Sequence, residues 1–112
     1  MINKKTLQEK RERVRQRMAV MSCVSNGVSF TKYASRLIDA PCKLSFKKEN
    51  DVFVAFKDDE FGLNVAPYHT VFQISSRPLA RLFEDIFKTK KPKFIMRATT
   101  IENMFELKLI TK

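Results

Sequence analysis

The sequence predicts an α+β domain in which hairpins form an antiparallel sheet and one helix covers a face of that sheet. Residues 42–47 alternate apolar and polar side chains, residues 52–57 continue with β-branched and aromatic residues, and residues 93–99 and 104–110 again follow a period of two, which is typical of paired strands. Between them, residues 75–88 place apolar side chains at helical spacing. Because a helix with one apolar face must bury it, we expect this helix to lie on the sheet.

Residues 4–24 predict a long N-terminal helix. The stretch has no Pro or Gly, and most of its residues favour helices. Thr6 and Glu9 have the spacing of a capping box. Asn26-Gly27 then supplies a stop, because both residues tolerate the left-handed conformation that ends helices and turns.

A second, short helix is predicted over residues 29–38. Its apolar residues recur every three or four positions behind a possible cap at Ser29, and Pro41 ends the pattern. Asn26-Gly27 therefore separates two helical patterns, which leaves a helix–turn–helix over residues 20–36 as a weaker alternative to a helical hairpin docked on the sheet.

The remaining elements are six strands and the helix of residues 79–87, in the overall order ααββββαββ. Ser75 or Ser76 is the expected cap of that helix, and Pro78 suits its first turn. Pro67 predicts that its own segment is either a strand at a sheet edge or a loop. The chain then divides into a basic helical arm, residues 1–25, partly docked on a single α+β domain, residues 26–112. The predicted strands cover residues 42–47, 52–57, 63–66, 71–75, 93–99 and 104–110.

Charge favours an acidic partner, most commonly nucleic acid. The 112 residues have a formal net charge of +10 and a pI near 9.9, and residues 4–18 hold seven Lys or Arg against two Glu. With only two Gly, the chain lacks the repeated glycines of phosphate-cradling loops. No apolar run approaches the roughly 18 residues of a membrane span, so we expect a cytoplasmic or nucleoid-associated protein. Cys23 and Cys42 have no metal-ligand spacing and are expected to be reduced thiols.

The period of two also predicts which side chains share a face of the sheet. If the helix of residues 79–87 packs on the face carrying Val54, Phe56 and Phe94, the opposite face becomes basic with an exposed ring at Phe53. Lys and Arg pair with phosphates while unstacked bases lie on an aromatic ring, which favours nucleic-acid binding; an ordinary solvated sheet face is the alternative. That opposite face would hold Lys43, Lys47, Phe53, Lys57, Lys93, Ile95, Arg97 and Lys108.

A second basic cluster occupies residues 88–97, which contain no acidic side chain. We therefore predict a non-catalytic nucleic-acid-binding protein that contacts mainly phosphates. No cofactor or metal site is predicted. The candidate nucleic-acid-binding residues are Lys4, Lys5, Lys10, Arg11, Arg13, Arg15, Arg17, Lys43, Lys47, Phe53, Lys57, Lys90, Lys91, Lys93 and Arg97.

Two further hypotheses stay open. In the first, the protein is an interaction or assembly subunit whose N-terminal helix forms a homo-oligomer through Leu7, Val14, Met18 and Met21, or binds an acidic protein. In the second, Arg residues with Tyr68 and His69 serve a small basic ribonuclease. The enzyme hypothesis is the weaker one, because a single His offers few acid–base arrangements.

Overall fold

Residues 18–110 form a closed, eight-stranded antiparallel β-barrel with two short helices. The computed structural model describes residues 18–110. The strands are β1 (Val20–Val24), β2 (Gly27–Phe30), β3 (Cys42–Glu49), β4 (Val52–Lys57), β5 (Leu63–Tyr68), β6 (Val71–Ile74), β7 (Lys93–Ala98) and β8 (Met104–Leu109), and the helices are α1 (Lys32–Leu37) and α2 (Arg77–Phe87). Around the barrel the strand order is β1-β2-β6-β5-β3-β4-β8-β7, and β7 pairs with β1 to close it.

The α+β prediction is therefore wrong, and the error begins at the N-terminal end. Residues 20–24 were expected to form the docked end of a helical arm, but they form β1 and pair with both β2 and β7. A two-residue turn at Ser25-Asn26 joins β1 to β2, so the helix–turn–helix hypothesis is also wrong. Met18 and Ala19 are not helical either, and residues 4–17 of the predicted helix lie outside the described residues.

From residue 31 onward the predicted helices and strands are present, but they form a closed barrel and not a sheet with a helix on one face. The cap of α1 is Thr31 rather than Ser29, because Phe30 belongs to β2. The Ser76 hydroxyl caps α2 by accepting a 3.3 Å hydrogen bond from the Leu79 N–H. The predicted edge position of the Pro67 strand is wrong, because β5 pairs with both β6 and β3. Pro67 lies opposite Phe72 of β6, beyond the point where β5 pairs with β3, so its missing N–H leaves no ladder bond unmade.

The core fills the barrel interior, because alternate side chains of each strand point inward and paired residues share a face. Helix α2 closes one end by inserting Phe83, which is 1% exposed, among inward-facing rings. The Phe83 ring centroid lies 5.2 Å from that of Phe46 and 5.4 Å from that of Phe94. Helix α1 lies at the other end. The inward-facing residues include Met21, Cys23, Val28, Phe30, Leu44, Phe46, Phe53, Ala55, Val65, Ile74, Phe94, Met96, Phe105 and Leu107.

Candidate nucleic-acid interface

Strand β7 carries exposed cations along the outside of the barrel. Lys93 and Arg97 point outward at its two ends, with the half-buried Ile95 between them, because alternate residues of a strand share a face. Lys90 and Lys91 stand immediately before the strand and are exposed. At about 3.3 Å of rise per residue, these cations extend along most of the height of the barrel wall. We call Lys90, Lys91, Lys93 and Arg97 the basic track.

The loop that precedes β7 is held in place by backbone hydrogen bonds. Helix α2 ends at Lys88, which adopts a left-handed conformation with φ of 50°, and the Thr89 N–H donates to the Glu84 carbonyl at 3.2 Å. Pro92 is buried, and its carbonyl accepts a 2.9 Å hydrogen bond from the Cys23 N–H of β1. The lysines of the loop therefore project from a fixed backbone, beside a shallow groove of about 530 Å³ that also contacts Leu109 and Ile110.

The candidate cations of β3 lie in a more mixed environment. Lys47 is outward-facing, 3.5 Å from Glu49, and its Nζ stands 5.3 Å from the centroid of the Phe56 ring. Lys43 is half-buried and lines a groove together with Asp59. Acidic side chains therefore offset part of the positive charge on this side of the barrel.

The prediction that Phe53 lies on the exposed face of the sheet is wrong. Phe53 is therefore not an exposed ring on which a base could stack. Its ring packs inside the barrel, 6.0 Å from Phe83 and 5.1 Å from Phe87 by centroid distance. Lys57 pairs with Leu44 and so lies on the inward-facing register at a strand end. Val54 and Phe56, predicted as core, face outward instead, although Val54 is shielded from solvent.

The seven N-terminal candidates lie outside the described residues, but the position at which their segment joins the barrel is clear. The Met18 carbonyl accepts a 3.1 Å hydrogen bond from the Thr31 hydroxyl, and the Ala19 carbonyl accepts one of 2.8 Å from the Met96 N–H. The chain therefore enters the barrel beside the Arg97 end of the basic track. The residues outside the description are Lys4, Lys5, Lys10, Arg11, Arg13, Arg15 and Arg17, with Leu7 and Val14 of the proposed oligomer stripe.

Met21, also assigned to that stripe, lies inside the barrel and is fully buried. It is therefore unavailable to a partner chain, and the stripe as we predicted it is wrong at this position. Met18 is half-buried.

Few of the cations in residues 18–110 are neutralised by ion pairs. This part of the chain holds fourteen Lys or Arg and ten Asp or Glu, a net charge of +4. Its ion pairs are Lys47–Glu49 at 3.5 Å and Lys48–Asp51 at 3.7 Å, both on exposed side chains. Glu106 lies opposite Arg97 in the β7–β8 register, but the described structure contains no ion pair between them. Among residues 18–110, no acidic side chain forms an ion pair with the basic track.

Sequence reasoning missed Arg36. This residue lies on α1, and the structure brings it to one groove with Arg97 of β7. The helical pattern placed Arg36 on the polar side of α1, but no local spacing connects residue 36 with residue 97. A correct pairing of β1 with β7 was needed to bring the two together.

The two cysteines and the single histidine all lie in the described part of the chain. Burial, together with the negative charge of Glu84, raises the pKa of the Cys23 thiol to about 12. Burial also raises the pKa of Cys42, and both cysteines are free. His69 stands in the β5–β6 turn with its ring edge-on to Tyr68 at 4.5 Å. Within residues 18–110, no three His, Cys, Asp or Glu side chains lie close enough to hold a metal ion.

Comparisons with protein-family models, with curated proteins and with solved structures find no match to this chain. Neither helix in the described part of the chain has the length and apolar character needed to cross a membrane.

Proposed function

We propose that this protein is a non-catalytic nucleic-acid-binding barrel that contacts phosphates through the basic track and the cations of residues 1–17. The observation that carries the proposal is the arrangement of charge along β7. Exposed cations occupy the loop before the strand and both of its ends, and the strongly basic N-terminal segment joins the barrel beside the last of them. A polyanion lying along β7 would meet both groups of cations at once.

The basic track is suited to phosphate contact because its side chains take no part in the packing or the ion pairs of the described structure. Its four side chains are exposed and make no ion pair with the described acids. Cations placed in this way contribute to affinity mainly by releasing counterions from the nucleic acid. Binding through them would depend strongly on salt and weakly on base sequence.

The proposal is tested by titrating labelled single- and double-stranded DNA and RNA over a range of salt concentrations. The double variant K91E/K93E is compared with R77E/R81E, which changes the net charge by the same amount at exposed positions of α2. Losing two phosphate contacts should lower the log–log salt slope by about 1.4 on single strands and about 1.8 on duplex DNA. The α2 variant should keep the slope of the parent protein.

Two results would contradict the proposal. One is the absence of binding to any of the four nucleic acids at low salt. The other is an equal loss of affinity in both double variants, which would mean that only net charge matters and that the track is not the contact surface.

A protein-interaction role is the second candidate, and exposed apolar side chains favour it. Phe61 is 78% exposed, while Leu82 and Ile86 lie one turn apart on the outer side of α2 at 52% and 44%. Apolar side chains that remain in solvent are a common feature of protein interfaces. A mass that rises with concentration in light scattering and falls in L82S/I86S, without nucleic-acid binding, would favour this role.

A further inference from the structure

A groove at the α1 end of the barrel gathers two arginines and an aromatic ring. It has a volume of about 560 Å³, and the residues of 18–110 that line it include no carboxylate. Arg36 and Arg97, both exposed, supply its charge, and Tyr33 supplies its ring. The rest of its lining is apolar, from Ala19, Leu37, Met96 and Ala98.

Arg36 is carried by a helix that is firmly attached to the barrel. The Thr31 hydroxyl caps α1 by accepting from the Ala34 N–H, and it also accepts from the Val20 N–H at 3.0 Å and donates to the Met18 carbonyl. The guanidinium carbon of Arg36 lies 5.8 Å from the centroid of the half-buried Tyr33 ring. This contact orients the planar group before any ligand arrives.

Arg97 approaches the groove from β7, where it pairs with Glu106 of β8, and the preceding Met96 N–H donates a 2.8 Å hydrogen bond to the Ala19 carbonyl. Two acidic groups lie in the surroundings. Glu106 is the register partner of Arg97, and Asp39 lines a separate groove on the other side of Arg36. Neither forms an ion pair with these arginines in the described structure.

We infer that this groove binds one nucleotide, with its phosphate between Arg36 and Arg97 and its base against Tyr33 and the apolar lining. Arginine pairs of this kind suit phosphate, because each planar guanidinium can donate two parallel hydrogen bonds. Bases stack on aromatic and apolar surfaces. The inference rests on the proposed function: the groove lies at the Arg97 end of the basic track, where it takes either a free mononucleotide or one nucleotide of a bound strand.

The test uses the full-length protein with four probes: adenosine 5′-monophosphate, adenosine, inorganic phosphate and a single-stranded oligonucleotide. Calorimetry should detect the monophosphate, with weaker binding of phosphate and weaker still of adenosine. R36Q and R97Q should each weaken monophosphate binding about tenfold, because each loses charged hydrogen bonds to the phosphate. R81Q, at an exposed position of α2, is the matched control and should bind as the parent does.

Both groove arginines are exposed, so the variants should melt at the parent temperature, which a thermal scan checks. As a second readout on the unaltered protein, amide NMR shifts should move on addition of monophosphate at Ala19, Leu37 and Ala98.

The outcomes separate this inference from the proposed function. If the oligonucleotide binds, the monophosphate does not, and R36Q binds the strand normally, the groove inference is overturned while the proposed function stands. If the monophosphate binds with the expected arginine dependence and no strand binds, the groove stands and the proposed function falls. Absence of binding by every probe overturns both.

Discussion

The two ends of the barrel are built from different chemistry. At the α2 end, Phe83 and Phe87 meet inward-facing rings from β3, β4 and β7, and the interior is sealed. At the α1 end, the barrel is bordered by a short helix, an open groove and exposed arginines. The difference indicates that stability is concentrated at one end, which leaves the other end free to carry charged side chains that contribute little to folding.

The largest expected effect comes from opening the sealed end. Phe83→Ala removes a ring that is 1% exposed and contacts four other phenylalanine rings. We expect the free energy of unfolding to fall by about 3–5 kcal/mol, as is usual when a buried aromatic side chain leaves a cavity. Urea denaturation followed by circular dichroism measures this loss. An effect below about 1 kcal/mol would mean that α2 does not seal the barrel as described.

A smaller loss of stability should follow from adding one methyl group to Gly27, at the same end of the barrel. A Cβ atom on Gly27 would collide with the carbonyl oxygen of Ile74 and crowd the amide nitrogen of Ser76, both of which are backbone atoms. Gly27→Ala should therefore destabilise the protein by about 1–3 kcal/mol, the usual range for overpacking. Ser25→Ala, at the exposed turn two residues earlier, is the control and should be close to neutral in the same denaturation experiment.

We expect the smallest change in stability from a substitution in the turn at Asp58, which follows the end of β4 beside β3. The Asp58 carboxylate accepts hydrogen bonds from the Phe61 N–H, the Ser45 hydroxyl and the Glu60 N–H, which lower its pKa below the ordinary 3.8. A carboxylate with a lowered folded-state pKa contributes stability that is present above the unfolded-state value and is lost as the pH falls through the folded-state value. The Asp58→Asn variant should therefore melt below the parent at neutral pH, with the difference shrinking as the pH drops below about 3.8.

Thermal scans between neutral and strongly acidic pH test this dependence. A difference in melting temperature that stays constant over the whole range would show that the Asp58 charge does not contribute. Asp59→Asn is the matched control, because the Asp59 side chain is exposed and is next to Asp58 in the sequence.

Elements whose residue pattern lies within one short segment could be predicted from the sequence. The β3–β4 and β7–β8 hairpins and helix α2 each follow from alternation or helical spacing within a short segment. The β4 faces could not be read in this way, because residues 52–56 are all apolar and either phase of the alternation fits. Burial of Phe53 is decided by contacts with Phe83 and Phe87, which are distant in sequence.

Barrel closure was beyond local reasoning for a similar reason. Residues 18–24 combine helix-forming methionines with β-branched valines, so propensity does not settle their state. Their strand conformation depends on pairing with β7, near the far end of the chain. The same pairing creates the groove that holds Arg36 and Arg97. Because residues 20–24 were predicted as a helix, that groove could not be predicted. In contrast, the outward orientation of Lys93 and Arg97 could be predicted from the alternation within β7 alone.

The pairing of β1 with β7 also constrains how the chain can be made. During synthesis, one side of β1 has no partner until residues 93–98 leave the ribosome, so its backbone N–H and C=O groups remain available to any other extended segment. Closure must therefore come late and involve nearly the whole chain, which predicts slow folding for a domain of this size. A nascent chain stalled before β7 should be protease-sensitive and prone to self-association, whereas the completed barrel has no free strand to offer.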